Sequence, residues 1–184
     1  MTVWLDGGML IRDAHRDEFP EVGDIRVGAY LADRFLSPDS RYAPRLRELG
    51  TDGLDRILVA VDGNGALMGT VTLQVWPQGG EVVKEPGEAE IRALAVRPEA
   101  RGAGVGRALL AAVIERAARL DVQHLLLLTQ PEMKAAHHLY DVAGFIRLPE
   151  RDWSPEPGVT LLAYGMVLAP GGVPRGAPCT RAAS

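Results

Sequence analysis

Residues 89–129 decide the fold of this chain. They read AEIRALAV (89–96), RPEARGAGVG (97–106), RALLAAVIERAARLDVQ (107–123) and HLLLLT (124–129). The outer segments are short apolar runs typical of strands, and HLLLLT lacks the alternation of a strand with one solvated face. Between them, apolar residues recur at helical spacing from Val105 to Leu120. Because a strand–helix–strand unit joins parallel strands, the stretch predicts a central parallel pair.

The segments on either side extend this unit into a larger sheet. Strand patterns occupy residues 9–14, 56–62, 66–76, 145–150 and 159–168. Helical patterns occupy residues 18–36, 44–50 and 132–143. Asp62-Gly63-Asn64-Gly65 is a hairpin signal, and residues 77–88 and 151–158 are predicted to be loops. The order predicts an α/β (α+β) chain in which helices pack on a mixed sheet.

Composition limits the class of protein. The 184 residues are 47% hydrophobic with a formal net charge of -4, which predicts one globular domain over residues 1–168 and no nucleic-acid partner. Residues 169–184 lack apolar periodicity, so we expect a disordered tail. No apolar run approaches the ~20 residues that cross a bilayer, and the N-terminus does not resemble a signal peptide. The single cysteine, Cys179, allows no internal disulfide, so we expect a cytoplasmic protein.

The glycine-rich turn at residues 101–106 matches neither of two common phosphate-binding patterns. A P-loop requires GxxxxGK[ST], but Arg107 and Leu109 stand where its second glycine would fall. The dinucleotide pattern GxGxxG matches at Gly102 and Gly104, but Arg107 replaces the third glycine. That pattern also belongs to the first strand of its domain, whereas this turn lies past the middle of the chain. Both interpretations fail.

The pattern that fits is Arg101-x-x-Gly104-x-Gly106-x-Ala108 directly after a strand. It resembles the acetyl-CoA-binding motif of the GNAT superfamily of N-acetyltransferases. Glycines let backbone N–H groups converge on a pyrophosphate, and the helix N-terminus adds partial positive charge. Downstream, AHHLYDVAGF (136–145) is similar to the family segment A-x-x-L-Y-x-x-x-G-F. One residue departs from the family pattern, since Met133 stands where many members have Asn.

The resemblance covers roughly residues 9–168 and implies a fold and a co-substrate. The implied fold is a mixed, mostly antiparallel sheet whose central parallel strand pair is splayed in a V, with helices on both faces. The implied co-substrate is acetyl-CoA, with no metal. The residues implied to contact it are Leu94, Ala95, Val96, Arg101, Gly102, Ala103, Gly104, Val105, Gly106 and Arg107.

Two residues resemble the catalytic groups of the family. Tyr140 occupies the position of the tyrosine that protonates the CoA sulfur as a general acid. Glu90, at the start of the strand before the turn, matches the glutamate that deprotonates the amine through water. Uninterrupted alternation puts Glu90, Arg92, Leu94 and Val96 on one side of the strand, unless a bulge intervenes. A structural carboxylate paired with Arg92 is the alternative for Glu90, and Glu88 is a weaker substitute for the base.

The predicted activity is acetyl-CoA-dependent transfer of an acetyl group to a primary amine of a small molecule or protein. The acceptor would enter near Tyr30, Phe35, Tyr42 and Trp153, by comparison with the family. Two alternatives remain: transfer of another acyl group, and a non-catalytic acyl-CoA-binding regulatory module. We expect no nucleic-acid or membrane partner, and the oligomeric state is left open, a homodimer included. The adjacent His137 and His138 diverge on a helix and predict no metal site.

Overall fold

The computed structural model describes the backbone of residues 3–5 and all of residues 8–78, 80–156 and 158–169. The strands are β1 (Val3–Leu5), β2 (Met9–Asp13), β3 (Arg56–Val61), β4 (Leu67–Val75), β5 (Glu88–Val96), β6 (His124–Thr129), β7 (Ile146–Arg147), β8 (Trp153–Glu156) and β9 (Val159–Val167). The helices are α1 (Phe19–Ala32), α2 (Tyr42–Glu48), α3 (Val105–Arg119) and α4 (Lys134–Ala143). None of the helices in these ranges has the length and apolar character needed to cross a membrane.

The strands form a mixed sheet in the order β1-β2-β3-β4-β5-β6-β9-β7, and β8 pairs with β9. Among the described strands, β5 and β6 are the parallel neighbours, and the other pairs are antiparallel. The predicted mixed, mostly antiparallel sheet with a central parallel pair is therefore confirmed. The parallel pair arises because α3 carries the chain from the end of β5 back to the start of β6.

Helices cover both faces of the sheet, as predicted. On one face, Leu109, Leu110 and Val113 of α3 pack with strand residues such as Leu73 and Ile91 in the main core. On the opposite face, Val22, Ile25 and Ala29 of α1 pack with residues of β3 and β4. Strand β6 is buried from both sides, because Leu125 and Leu127 face the main core while Leu126 packs with Val82. This double burial explains why HLLLLT has no polar alternation.

The parallel strands separate after four residue pairs. Glu88–Ile91 of β5 lie opposite His124–Leu127 of β6, and from Arg92 onward β5 pairs with β4 alone among the described strands. A bulge accompanies the separation: Thr72 pairs with Arg92 and Thr70 with Ala95, so Ala93 and Leu94 together face Val71. Ala93 has a φ of 51°, which marks the bend. The divergence of β5 from β6 beyond this point forms the predicted V.

The bulge decides between the two possibilities that the sequence left open for the side chains of β5. Glu90 and Arg92 point to the α1 face, but Leu94 and Val96 pack against the main core under α3. Ala95, which strict alternation puts with Ile91, packs with α1 instead. One extra residue in a strand exchanges the faces of all residues beyond it.

Other boundaries differ locally from the sequence prediction. The predicted loop at 151–158 contains β8, which returns along β9 as a hairpin, and β7 is two residues long. The first helix ends at Ala32 rather than at residue 36, and α4 begins at Lys134. The tail prediction falls on residues 169–184, and residues 170–184 lie outside the described residues.

Candidate active site

The glycine turn leads directly into α3 with its backbone amides free. Gly102 and Gly104 have φ values of 77° and 78°, and Gly104 is the residue that caps the helix. Ala108 makes the first helical hydrogen bond, to the Gly104 carbonyl at 2.9 Å. Within the described residues, the N–H groups of residues 102–107 donate no hydrogen bond. Such a run of unpaired amides at a helix N-terminus is suited to binding a phosphate.

A first cavity of about 1020 Å³ lies between this turn, β5 and α4. Every residue predicted to contact the co-substrate lines it except Ala103, which is exposed beside it. Val105 lines the cavity although its side chain is buried in the core, so it would contact a bound molecule through its backbone N–H. The splayed half of β5 forms one wall, where its backbone has no β6 partner. An elongated, polyanionic molecule such as acetyl-CoA fits these donors and this volume.

The two arginines at the turn differ in their interactions: Arg101 is paired with a carboxylate and Arg107 is not. Arg101 makes two hydrogen bonds to the carboxylate of Asp33 at the end of α1, at 2.7 and 2.9 Å. This pair connects the turn to α1 across the cavity opening. Arg107 is exposed and lines the cavity, and it has no hydrogen bond or ion pair within the described ranges. A cation in the first turn of a helix is unfavourable by itself, so Arg107 gains from an anion bound there.

Tyr140 lies at the inner end of the first cavity. Its side chain is 7% exposed and packs against the rings of Phe145 and Tyr164, at centroid distances of 5.9 and 6.1 Å. Burial raises the pKa of the Tyr140 hydroxyl above its usual range, so the group is protonated at neutral pH. It can therefore donate a proton to a group in the cavity.

A second cavity of about 800 Å³ lies on the α1 and α2 side of β5. Tyr30, Phe35, Tyr42 and Trp153, the residues expected near the acceptor, all line it. The two cavities have a common wall, formed by Tyr30, Phe35, Ile91, Ala93, Leu128, Thr129 and Met133. Most of this wall lies where β5 and β6 diverge, so two molecules entering from opposite sides would meet in the V.

Glu90 lines the second cavity and is almost completely buried, with 2% of its surface exposed. Burial raises the pKa of its carboxyl to about 7, against the opposing effect of the Arg92 charge. Its Oε2 atom has no hydrogen-bond partner among the described residues. A carboxyl group with a pKa near neutrality can accept a proton and release it again.

Residues 80–82 lie against Glu90, and Gly80 makes this close approach possible. A Cβ added to Gly80 would lie 1.9 Å from Glu90 Oε2 and 2.9 Å from Gln74 Oε1. A residue with a side chain at position 80 would thus displace the carboxylate. The sequence analysis missed this role, and the signal that could have found it is the glycine itself within a polar loop.

Glu88, the weaker substitute for the base, has a structural role. Its carboxylate accepts hydrogen bonds from Arg151 Nη2 at 2.6 Å and from the Lys84 N–H at 2.7 Å. Although burial acts to raise its pKa, these contacts hold the pKa of Glu88 below its usual value. It also lines neither cavity. A paired carboxylate of this kind does not serve as a proton acceptor.

Arg92 lies beside Glu90 on the floor of the second cavity. Its Nε atom is 3.8 Å from Glu90 Oε1, and its Nη2 atom is 3.6 Å from Glu81 Oε1. Both distances are beyond hydrogen bonding. The alternative role predicted for Glu90 was a structural ion pair with Arg92. The two charged groups are adjacent, as that role requires, but they do not hydrogen-bond each other.

Met133 and the histidines show no metal-binding arrangement. Met133 lies in the common wall, where its sulfur is 3.5 Å from the Thr129 hydroxyl. His137 contacts the carbonyl of Gln130, whereas His138 lines the first cavity. Among the described residues, no cluster of three or more His, Cys, Asp or Glu side chains could hold a metal ion.

Comparisons with known proteins agree with this geometry. Residues 11–145 match the model of the acetyltransferase (GNAT) family. An uncharacterised N-acetyltransferase of Schizosaccharomyces pombe is 32% identical over 133 residues, which are 72% of this chain and 76% of that protein. A mycothiol acetyltransferase of Paenarthrobacter aurescens is 33% identical over 90 residues, 49% of this chain. The match spans only 27% of that longer protein.

The fold is also that of a solved enzyme. The spermidine N-acetyltransferase of Vibrio cholerae, in complex with CoA and spermine, superimposes with a TM-score of 0.63 at 19% sequence identity. The superposition covers 88% of this chain and 96% of the other. At this identity the likeness concerns the fold alone. Together with the match over residues 11–145, the glycine turn, the splayed strands and the AHHLYDVAGF segment lead to one conclusion: this chain belongs to the acetyltransferase (GNAT) family.

Proposed function

We propose that the protein is an acetyl-CoA-dependent N-acetyltransferase that acts on a primary amine. The observation that carries the proposal is the run of unpaired N–H groups at residues 102–107, which opens into a cavity that meets a second cavity in the V. The co-substrate would supply an acetyl thioester whose C–S bond breaks as the N–C bond to the acceptor amine forms. The proposed chemistry uses no metal ion.

The turn would bind the pyrophosphate of acetyl-CoA through its backbone. Gly102 and Gly104 place N–H groups along the cavity, and Arg107 adds an unpaired charge beside them. Residues 94–96 pair with β4 on one edge, and their other edge, which has no β6 partner, would hydrogen-bond the rest of the molecule as an added strand partner. A backbone N–H in the same segment would stabilise negative charge on the thioester carbonyl oxygen.

Glu90 and Tyr140 would move the two protons of the reaction. An alkyl amine is largely protonated at neutral pH, since its pKa is near ~10. The neutral fraction of the amine would attack, and Glu90, from its position in the second cavity, would accept through water the proton that the amine loses as the N–C bond forms. Tyr140 would donate its hydroxyl proton to the sulfur, from its position in the first. Burial there disfavours a thiolate as it does a phenolate, so the two effects offset each other in this transfer.

The acceptor and the location are part of the same proposal. A small-molecule amine is supported by the volume of the second cavity, about 800 Å³. A cytoplasmic location is supported by the single cysteine, which provides no internal disulfide.

Two measurements test the proposed function. Calorimetric titration should show binding of acetyl-CoA, and release of free CoA thiol in the presence of a panel of amines should then show transfer. Binding without release for any amine would favour the non-catalytic module. Failure to bind any CoA species would overturn the proposal.

The role of Tyr140 predicts the effect of one substitution. Tyr140→Phe removes the hydroxyl and keeps the packing against Phe145 and Tyr164, so kcat should fall by about 100-fold while acetyl-CoA affinity stays within about threefold. Steady-state rates of thiol release and calorimetry measure the two quantities. Phe145→Leu, which changes the same aromatic cluster without removing an acid, serves as the control. An unchanged kcat with a good acceptor would show that the acid is assigned wrongly.

A further inference from the structure

The arginines that line the second cavity indicate which chemical class of acceptor it would bind. Three of them line it: Arg92 on β5, and Arg41 and Arg45 at the start and in the middle of α2. Arg41 and Arg45 are exposed and have no hydrogen bond or ion pair within the part of the chain that the structure describes. Three carboxylates, those of Glu81, Glu90 and Glu156, line the same cavity. Its lining thus presents both signs of charge.

Arg92 is held in place with donors to spare. Its Nη1 donates to Gln74 Oε1 at 3.1 Å, and its Nη2 donates to the Tyr42 hydroxyl at 3.4 Å. Gln74 is itself oriented, because its Nε2 donates to Asp55 Oδ2 at 2.6 Å. A guanidinium group has five N–H donors, so Arg92 has more donors than its described partners use. The side chain is 16% exposed, toward the cavity.

The spacing of Arg92 and Glu90 matches a specific arrangement of charges. Arg92 Nε and Glu90 Oε1 are 3.8 Å apart, and both residues line the second cavity. In an α-amino acid the amine nitrogen and a carboxylate oxygen lie about 3 Å apart, as bond lengths require. An amine held near Glu90, directly or through one water, therefore brings an adjacent carboxylate within reach of the guanidinium of Arg92. Guanidinium groups favour carboxylates because they can donate parallel hydrogen bonds.

We propose that the acceptor is an α-amino carboxylate, whose amine is presented to Glu90 and whose carboxylate is bound by Arg92, with Arg41 and Arg45 at the entrance. This inference rests on the proposed function. The aromatic and apolar wall of Trp153, Pro155 and Leu161 would contact the side chain of the amino acid. A polyamine would instead bring a further cation close to the arginines, which is unfavourable.

The experiment compares acceptors that differ only in the carboxylate. Thiol release from acetyl-CoA is measured with the twenty standard amino acids, their primary amides, the corresponding decarboxylated amines, spermidine and a short peptide with a free N-terminus. Each kcat/KM is divided by the neutral fraction of the acceptor amine, which removes the difference in amine pKa. The preferred amino acid should exceed its own amide by at least about tenfold, the usual effect of a charged hydrogen bond.

Arg92→Gln should abolish this preference. The ratio of kcat/KM for amino acid and amide should fall to within about threefold of unity, because the ratio isolates the carboxylate contact. Any indirect effect of the substitution on Glu90 acts on both acceptors and cancels. Arg119→Gln, an exposed arginine on α3 outside both cavities, should keep the wild-type ratio. The wild-type comparison stands even where Arg92→Gln fails to fold.

The possible results separate the two proposals. The acceptor inference is overturned if an amide, a decarboxylated amine, spermidine or the peptide is acetylated as well as, or better than, every free amino acid. That result would leave the proposed acetyltransferase activity intact. Absence of transfer to any amine, despite a folded protein, overturns the proposed function itself. Retention of the amino-acid preference in Arg92→Gln would contradict the role of Arg92.

Discussion

Glu90 has surroundings that lower the stability of the fold but suit its proposed role as a proton acceptor. Its carboxylate is buried under Gly80, and one oxygen has no described hydrogen-bond partner. Burying a carboxylate that the neighbouring Arg92 does not hydrogen-bond costs stability, so a purely structural role would be better met by an apolar residue. Glu88, two residues earlier on the same strand, is also buried, but its carboxylate is paired with Arg151. The contrast supports a chemical role for Glu90 and a structural one for Glu88.

Glu90→Gln should alter the pH dependence of the reaction. With an acceptor amine of pKa near ~10, deprotonation of both the amine and Glu90 should give log kcat/KM a slope of about two below pH ~7. The pKa of about 7 for Glu90 fixes where this slope falls to about one. In the variant the slope should be about one throughout. Thiol release measured across this pH range checks the prediction.

Glu88→Gln is the matched control for this experiment. It makes the same substitution on the same strand and should retain the biphasic profile, with a lower stability because Arg151 loses its partner. A slope of two that persists in Glu90→Gln would show that another group accepts the proton.

At the scale of elements, the bulge in β5 creates the site. The bulge at Ala93, at φ 51°, lies just after the last β5–β6 pair, and beyond it one edge of the strand backbone faces the first cavity instead of β6. The same bulge keeps Glu90 on the face of the second cavity while Leu94 and Val96 return to the core. A regular strand could not place these groups on these faces.

Substitutions at Ala93 should separate conformation from side-chain chemistry. A β-branched residue is strained at positive φ, so Ala93→Val should lower the free energy of unfolding by about 1–3 kcal/mol and weaken acetyl-CoA binding. Ala93→Gly, which adopts this φ without strain, should keep binding within about threefold. Chemical denaturation and calorimetry provide the two measurements. Equal binding by the Val and Gly variants would show that the bulge does not position the co-substrate.

At the scale of the whole molecule, two groups of carboxylates act in opposite directions on stability. Hydrogen bonds from Arg116 lower the pKa of Asp13, and those from Arg12 lower the pKa of Glu18. These acids stabilise the fold above their unfolded pKa values, and the contribution is lost as the pH falls below them. Burial instead raises the pKa of Glu90 from 4.5 to about 7. Ionising it within the fold costs stability as the pH rises through this interval.

The free energy of unfolding should therefore be highest near pH ~5 and decline by up to about 3 kcal/mol toward pH ~8. Glu90→Gln should remove most of the decline, because glutamine does not ionise. Urea denaturation at a series of pH values, with Asp13→Asn as a control that affects only the acid side, measures this. A wild-type protein whose stability is constant between these pH values would contradict the assigned burial of Glu90.

The order of the main elements and the nature of the turn could be predicted from local patterns in the sequence. A strand, Arg101-x-x-Gly104-x-Gly106, and an apolar helix face are local patterns, since backbone conformation and hydrophobic periodicity depend on neighbouring residues. The AHHLYDVAGF segment is also a run of consecutive residues that matches a family pattern, and Tyr140 was identified from it.

Which groups meet in the site depends on contacts between distant parts of the chain. Gly80 and Gln74 are far from any motif, yet they fix the surroundings of Glu90 and Arg92. The bulge at Ala93 and the hairpin of β8 depend on pairing with strands distant in the sequence. The acceptor cavity draws its walls from α1, α2, β5 and β8, so no local pattern encodes its charges. The donor side follows from a motif of consecutive residues, whereas the acceptor side arises from contacts that exist only in the folded chain.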